Sequence, residues 1–392
     1  MLGRIARNRD LAEAETMFAR QLDVAAGHGL RLWATRATHE LGTLDLMRAN
    51  RTERLARARE LAAEGGDLAT AATIDLQLGG SGWLALDAGA CLEAALRCQH
   101  TAQRFHLDLL LAKALLLEAA AHAFAGRRAA MELAIAQAER IGRPEADLEA
   151  AAWARRGMGA LLREDRDRAV AAYDTAVSTL REAATVYVRP YWLHWALLHT
   201  VQGDGGDQAR AEARRVSQAD RPLTQMILGY ADAVAAGRRG RAGQAETLFA
   251  DARSAGQAPG WAAQRHLAER LVAECALADG WGQPVQWLTE VAEFFRRAGH
   301  AHVERACRSL LRKAGAPLPR REHGHRATPP ALAALGITDR EAEVLAMVTE
   351  GLTSKQIAAR LFLSVRTVDK RVERLLAKTG VSRRAELRTF RT

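Results

Sequence analysis

The chain has 392 residues, 48% of them hydrophobic, which is enough for more than one buried core and too many for one ordinary domain. Its formal net charge of +10 is localised: from Arg308 onward there are 18 Lys plus Arg against 8 Asp plus Glu, so residues 1 to 307 are neutral as a block. This asymmetry points to a nucleic-acid partner for the C-terminal part and excludes a uniformly polycationic protein.

The amino terminus, "MLGRIARNRDLAEAE", lacks the unbroken apolar core and small-residue cleavage site of a secretory signal, so a cytoplasmic protein is expected. From Asp10 onward, Ala-rich amphipathic segments recur, opening near Asp10, Arg51, Ala88, Arg127, Arg166, Asp207, Ala242 and Gln283. The interval, about 40 residues, is the length of a two-helix repeat unit. In "RAAMELAIAQAERIG" and "AGQAETLFADARSAG" apolar residues fall at i, i+3, i+4 and i+7, as a helix with one buried stripe requires. Strand-like alternation is nearly absent. The expectation is an all-α chain whose residues 1–314 form an α-solenoid of helix pairs. The first unit opens in its second helix, which predicts an uncapped apolar face there and a further region upstream.

The most apolar stretch of this array, Leu109 to Ala125, is interrupted by Lys113, Glu118 and His122, so no membrane span and no membrane partner are expected. Cys91, Cys98, Cys275 and Cys307 have no metal-ligand spacing and read as buried thiols. In "YVRPYWLHWALLH", Tyr187, Tyr191, Trp192 and Trp195 cluster with His194 and His199 around Pro190; packing between repeats outweighs a ligand groove for residues of this kind. His194 and His199 lie five apart, not the i, i+4 spacing that would put two ligands on one helix face, so no metal is expected.

The helical period stops at Gly315. "GAPLPRREHGHRATPP" carries Pro317, Pro319, Pro329 and Pro330 with a run of positive charge, and residues 315–331 read as an exposed basic linker. Residues 332–392 then form a small domain. Thr338 and Glu341 make a capping box for a first helix that stops at Gly351; Thr353 and Gln356 repeat the device for a second; Ser364 caps a third that runs to about Thr379 and ends at Gly380. "VSRRAELRTF" predicts a short fourth helix with Leu387 and Phe390 inward. Two helices joined by a tight turn, the second longer and more basic, form a helix-turn-helix.

On the third helix, Val365, Val368, Val372, Leu375 and Leu376 share the core-facing arc, while Arg366, Lys370, Glu373, Arg374 and Ala377 face outward. Asp369 sits on a flank. Thr353, Lys355 and Thr367 are expected to hold phosphates; Arg366, Lys370 and Arg374 are the candidates for base edges, where Arg and Lys can donate to guanine O6 and N7. With Arg371 and Lys378 the helix offers five cations against Asp369 and Glu373. The acids are placed to pair with Arg366 and Lys370 three residues away, or to accept a hydrogen bond from cytosine N4.

These residues carry a resemblance. Thr338, Arg340, Glu341, Glu343, Val344 and Leu345, then Gly351, Leu352, Lys355, Ile357, Ala358, Leu361 and Phe362, then Ser364, Thr367, Val368, Lys378, Gly380, Val381, Arg384 and Leu387 resemble the LuxR-type (GerE-like) DNA-binding domain over residues 336 to 390. The resemblance implies a transcription regulator that binds double-stranded promoter DNA as a dimer, with RNA polymerase as a further partner. Asp369 stands where that family usually has Lys and Arg371 where it usually has His, so a relative's operator does not carry over. More loosely, "AVAAYDTAVSTL" is similar to the second helix of a tetratricopeptide unit. Many large LuxR-type regulators place a nucleotide-binding ATPase before such an array. Here none of the five lysines follows Gly, so the chain has no Walker A motif, nor a GxSxG, HExxH or CxxC pattern. The reading is therefore a regulator with no catalytic activity, no cofactor and no metal, whose array receives a protein or small-molecule effector. Two alternatives stand beside it: an interaction scaffold with a degenerate helix-turn-helix, and the C-terminal part of an ATPase-coupled regulator.

Overall fold

Asp10, Asp67 and Asp87 show how this sequence starts its helices. Each precedes a helix, and each carboxylate accepts hydrogen bonds from backbone amides of the first turn, for example Ala12 N–H at 2.7 Å on Asp10 and Ala90 N–H at 2.9 Å on Asp87. These bonds satisfy donors that have no partner inside the helix. The computed structural model describes residues 2–142, 145–181, 190–316, 332, 335–361 and 364–389. Most of the segment read as a linker, 317–331, lies outside the described residues, as do Tyr187, Phe362 and Phe390.

The chain divides into two compact units, Met1–Pro317 and Leu318–Thr392. All regular structure among the described residues is helical. In the first unit one set of helices comprises α2 (Leu11–Gly27), α4 (Glu53–Glu64), α6 (Ala88–Arg104), α8 (Arg128–Ile141), α10 (Arg166–Arg181), α12 (Gly206–Val216), α14 (Ala242–Ala255) and α16 (Pro284–Arg297). Their starts fall within two residues of the eight positions where the amphipathic segments open. Between them lie α1 (Leu2–Ala6), α3 (Arg31–Ala49), α5 (Leu68–Ala85), α7 (Asp108–Phe124), α9 (Ala146–Leu161), α11 (Pro190–Gln202), α13 (Pro222–Arg238), α15 (Ala262–Asp279) and α17 (Ala301–Lys313).

The two sets differ physically. An even-numbered helix buries one stripe, as α6 does with Cys91, Ala94, Ala95, Cys98 and Ala102. The odd-numbered helices from α3 to α15 pack on one another as well as on their even neighbours: α5 touches α3 and α7, and α13 touches α11 and α15. They are therefore covered nearly all round, and α7 reads "DLLLAKALLLEAAAHAF". The four cysteines are buried, and burial pushes the thiols of Cys91, Cys98 and Cys307 up to about 12. No helix of the described residues is long and apolar enough to cross a membrane.

The array is not the open arc that a helix-pair repeat predicts, in which each unit meets only its neighbours. Its last third returns onto its first. α15 packs on α5, and the 3-10 turn Pro259–Trp261 packs on α3 and α5. Asn50 ends α3 in the left-handed region (φ 51°) and donates through Nδ2 to the Gly260 carbonyl at 3.0 Å, while the Trp261 indole donates to the Arg48 carbonyl at 3.2 Å. Fully buried Gln264 bridges Leu84 O, at 2.8 Å, and His194 Nε2, at 2.7 Å. Arg221 caps the Arg7 carbonyl at 2.6 Å. Tyr191, Trp192, His194 and Trp195 are buried in this interior, as packing residues are, and no metal-type cluster of side chains occurs among the described residues.

Candidate nucleic-acid interface

Among its described residues the second unit has three α-helices, α18 (Asp339–Thr349), α19 (Ser354–Leu361) and α20 (Val365–Thr379), followed by a short 3-10 helix at Glu386–Thr389 where the short fourth helix is expected. Each start is fixed locally. Glu341 accepts from Thr338 N–H and Oγ1 at 2.9 Å each, the expected capping box. Gln356 accepts from Thr353 N–H at 2.8 Å and returns its own amide to Thr353 Oγ1 at 3.3 Å. Ser364 Oγ accepts from Thr367 N–H at 3.1 Å, and Gly380 ends α20 at φ 72°. That conformation suits Gly because a side chain would be strained there.

The core joins these elements through Val344, Leu345 and Val348 of α18, Ile357 and Ala358 of α19, Val368, Val372 and Leu375 of α20, and Leu387. Leu376 packs at its edge. Val365, expected in this core, is 44% exposed. It shares the arc of Val368 and Val372 but lies in the first turn of α20, and burial begins at Val368.

On the opposite side of α20, Arg366, Asp369, Lys370, Glu373, Arg374 and Ala377 are all exposed. They form a continuous stripe at i, i+3, i+4, i+7, i+8 and i+11, about 17 Å long at 1.5 Å per residue. The anticipated pairs of Asp369 with Arg366 and of Glu373 with Lys370 do not form: among the described residues no salt bridge or hydrogen bond engages these five charged side chains. Exposed i, i+3 pairs are worth only a few tenths of a kcal/mol, too little to order long side chains by themselves.

The remaining candidates differ in exposure. Lys355 is exposed beside the Thr353 cap, whose hydroxyl donates to Gln356 Oε1 at 2.9 Å. Thr367 is half-buried, its hydroxyl 2.7 Å from Ser364 Oγ. Arg371 is half-buried too, with Nη1 shielded from solvent and no hydrogen-bond acceptor on it. Lys378 turns away from the stripe and donates to Glu341 Oε2 at 2.6 Å and to the Gly336 carbonyl at 2.7 Å. Burial pushes the Glu341 carboxyl up, but the bonds from Lys378 and Thr338 outweigh it and hold the group below the usual carboxylate range. Sequence reasoning also missed the work of Arg384, which donates to Ser354 Oγ at 2.7 Å and to the Leu352 carbonyl at 2.9 Å. It thereby pins the turn that presents Thr353 and Lys355; nothing in the local sequence announces that long-range contact.

Comparison with known proteins agrees with this geometry. Residues 336–390 match the family model GerE, described as bacterial regulatory proteins of the luxR family. Over 57 residues the chain is 51% identical to the DNA-binding transcriptional activator DevR/DosR of Mycobacterium tuberculosis, covering 14% of this chain and 26% of that protein. It is 49% identical over 63 residues to the response regulator Rre1 of Synechocystis, covering 16% of this chain and 27% of that one. With the C4-dicarboxylate transport transcriptional regulatory protein DctR of Rhodobacter capsulatus it shares 51% identity over 47 residues, 12% of this chain and 24% of the relative. The chain spans about a quarter of the length of the curated relatives it matches. At its C-terminus, then, the protein carries a GerE-type helix-turn-helix domain of the luxR family.

Proposed function

We propose that the protein is a transcription regulator that binds double-stranded promoter DNA through residues 336–390, as a dimer, with the tetratricopeptide-like helical array of the first unit as its sensor or interaction region. Arg366, Lys370 and Arg374 are the base-reading donors, flanked by Asp369 and Glu373; Thr353, Lys355 and Thr367 hold phosphates, and Arg371 supports the same face. Lys378 acts by positioning α20 through Glu341. RNA polymerase and an effector that meets the array are the further partners. The observation that carries this reading is the unpaired, exposed charged stripe of α20, opposite a buried face that docks the helix on α18 and α19. A helix presented in this way can enter the major groove with its donors free.

The test is mobility shift or fluorescence anisotropy on promoter fragments selected from genomic DNA by the intact chain, repeated across a salt series. Several phosphate contacts give a linear fall of log affinity with log salt. Salt-insensitive or absent binding would instead favour an interaction scaffold, the second reading, for which the exposure of Asp369 and Glu373 on the same stripe is the supporting observation.

A further inference from the structure

The helices α3, α5, α7, α9 and α11 line an open-sided cavity of about 420 Å³, a size typical of small-molecule sites. Its wall is mainly apolar and includes Leu76, Trp83, Leu117 and Leu148. Gly80 also lines it, and a Cβ added there would meet nothing within 4 Å. The adjacent Gly79 differs: a Cβ there would collide with Leu117. One turn of α5 thus changes from packed to open at Gly80, so the space is a built recess in the array's own layer of odd-numbered helices.

The charges on the lining are unequal. Among the described lining residues, Lys113 and Arg155 are the cations and Asp147 the carboxylate. Lys113 is exposed. Arg155 is half-buried and held in place: its guanidinium carbon lies 4.5 Å from the Trp83 ring centroid, and its Nε donates to the Leu116 carbonyl at 3.3 Å. A guanidinium stacked on an indole is weakly hydrated and presents a planar fork, which favours an anion such as a carboxylate or sulfonate.

We infer that this cavity binds a mainly apolar small molecule bearing one anionic group, its body over Gly80 against Leu76, Trp83 and Leu117 and its anion toward Lys113 and Arg155. The inference rests on the reading of the array as the receiving part of a regulator and gives that part a ligand class. Binding is measured without DNA, so its failure leaves the DNA-binding reading standing.

The probe is 8-anilinonaphthalene-1-sulfonate, an apolar fluorophore with one negative charge, titrated into the intact chain. Saturable binding at one site is expected. Gly80→Leu fills the recess with a better helix former than Gly and should weaken binding about tenfold or more, the equivalent of about 1.4 kcal/mol. Lys113→Glu changes an exposed residue, cannot unfold the array through packing, and should weaken binding about fivefold on the scale of a partly exposed charge contact. Decanoate should displace the probe and decanol at the same concentration should not. Far-UV circular dichroism checks that both variants keep the fold; should Gly80→Leu lose it, Lys113→Glu and the two competitors decide. No saturable binding, an affinity that Gly80→Leu or Lys113→Glu leaves unchanged in a folded variant, or equal displacement by decanol would overturn the inference.

Discussion

Lys378, in the last turn of α20, reaches back to Glu341 near the start of α18, with Nζ 2.6 Å from Oε2. Because Glu341 is only 4% exposed, this contact ties the orientation of the candidate recognition helix to the first helix of its domain. Lys378→Met leaves a buried carboxylate with only its Thr338 partner, and should cost the domain about 1–3 kcal/mol. All eight tryptophans lie in the first unit, so the check is amide exchange in α20, which should quicken, while tryptophan emission is unchanged. The carboxyl is held below its usual range, so this stability is present above the unfolded pKa and is lost as pH falls through the folded one. Unchanged α20 exchange in the variant would remove the tie.

The DNA contacts separate by type. Lys370→Ala should cost about 1–3 kcal/mol on the preferred sequence and relax preference at one position. Lys355→Ala should weaken all sequences similarly and lower the salt slope by about one. Asp369→Ala should relax sequence preference and raise non-specific binding. Selection of binding sites from a random pool reads all three, and an unchanged preference removes Asp369 from the reading set.

His194 gives the array a pH signature. Burial lowers its pKa from 6.5 to about 4, against the opposing hydrogen bond that Nε2 donates to Gln264 Oε1. The unfolded chain takes up this proton near pH 6.5, and the folded chain resists it until about 4, so stability falls as pH drops through that window. His39 and His300, also held down by burial, add to the slope. Denaturant midpoints followed by tryptophan emission should decline over this range, and His194→Gln should shallow the decline. A parallel decline in the variant would assign the slope elsewhere.

The return of the array onto itself has its own test. At Gly260 an added Cβ would collide with the Ala49 carbonyl where the 3-10 turn meets the end of α3. Gly260→Ala should destabilise the first unit by about 1–3 kcal/mol through overpacking, seen as a lower tryptophan-monitored midpoint with α20 exchange unaffected. A midpoint equal to the parent's would mean that the closure adds little.

Legibility followed covering. The even-numbered helices were readable because a helix buried on one side carries a 3.6-residue stripe, and Asp caps and Gly stops marked their ends. The odd-numbered ones, such as α7 and α11, are buried on most sides and carry no single stripe, and their presence followed only from the spacing between stripes. The caps at Thr338, Thr353 and Ser364 were readable for the same local reason, since each bond spans three residues.

What the sequence alone determined is therefore the helical period, the capped helix-turn-helix, its family resemblance and the concentration of positive charge in the C-terminal part. Tertiary structure decided which of those charges remain free. Lys378 is taken by Glu341, 37 residues away, Arg384 by a turn about 30 residues before it, and Val365 is left exposed although it shares the arc of the buried Val368 and Val372. It also decided that the array closes, through contacts such as Asn50 to Gly260, 210 residues apart. Periodicity reports whether a side is buried; it carries no record of which distant segment buries it.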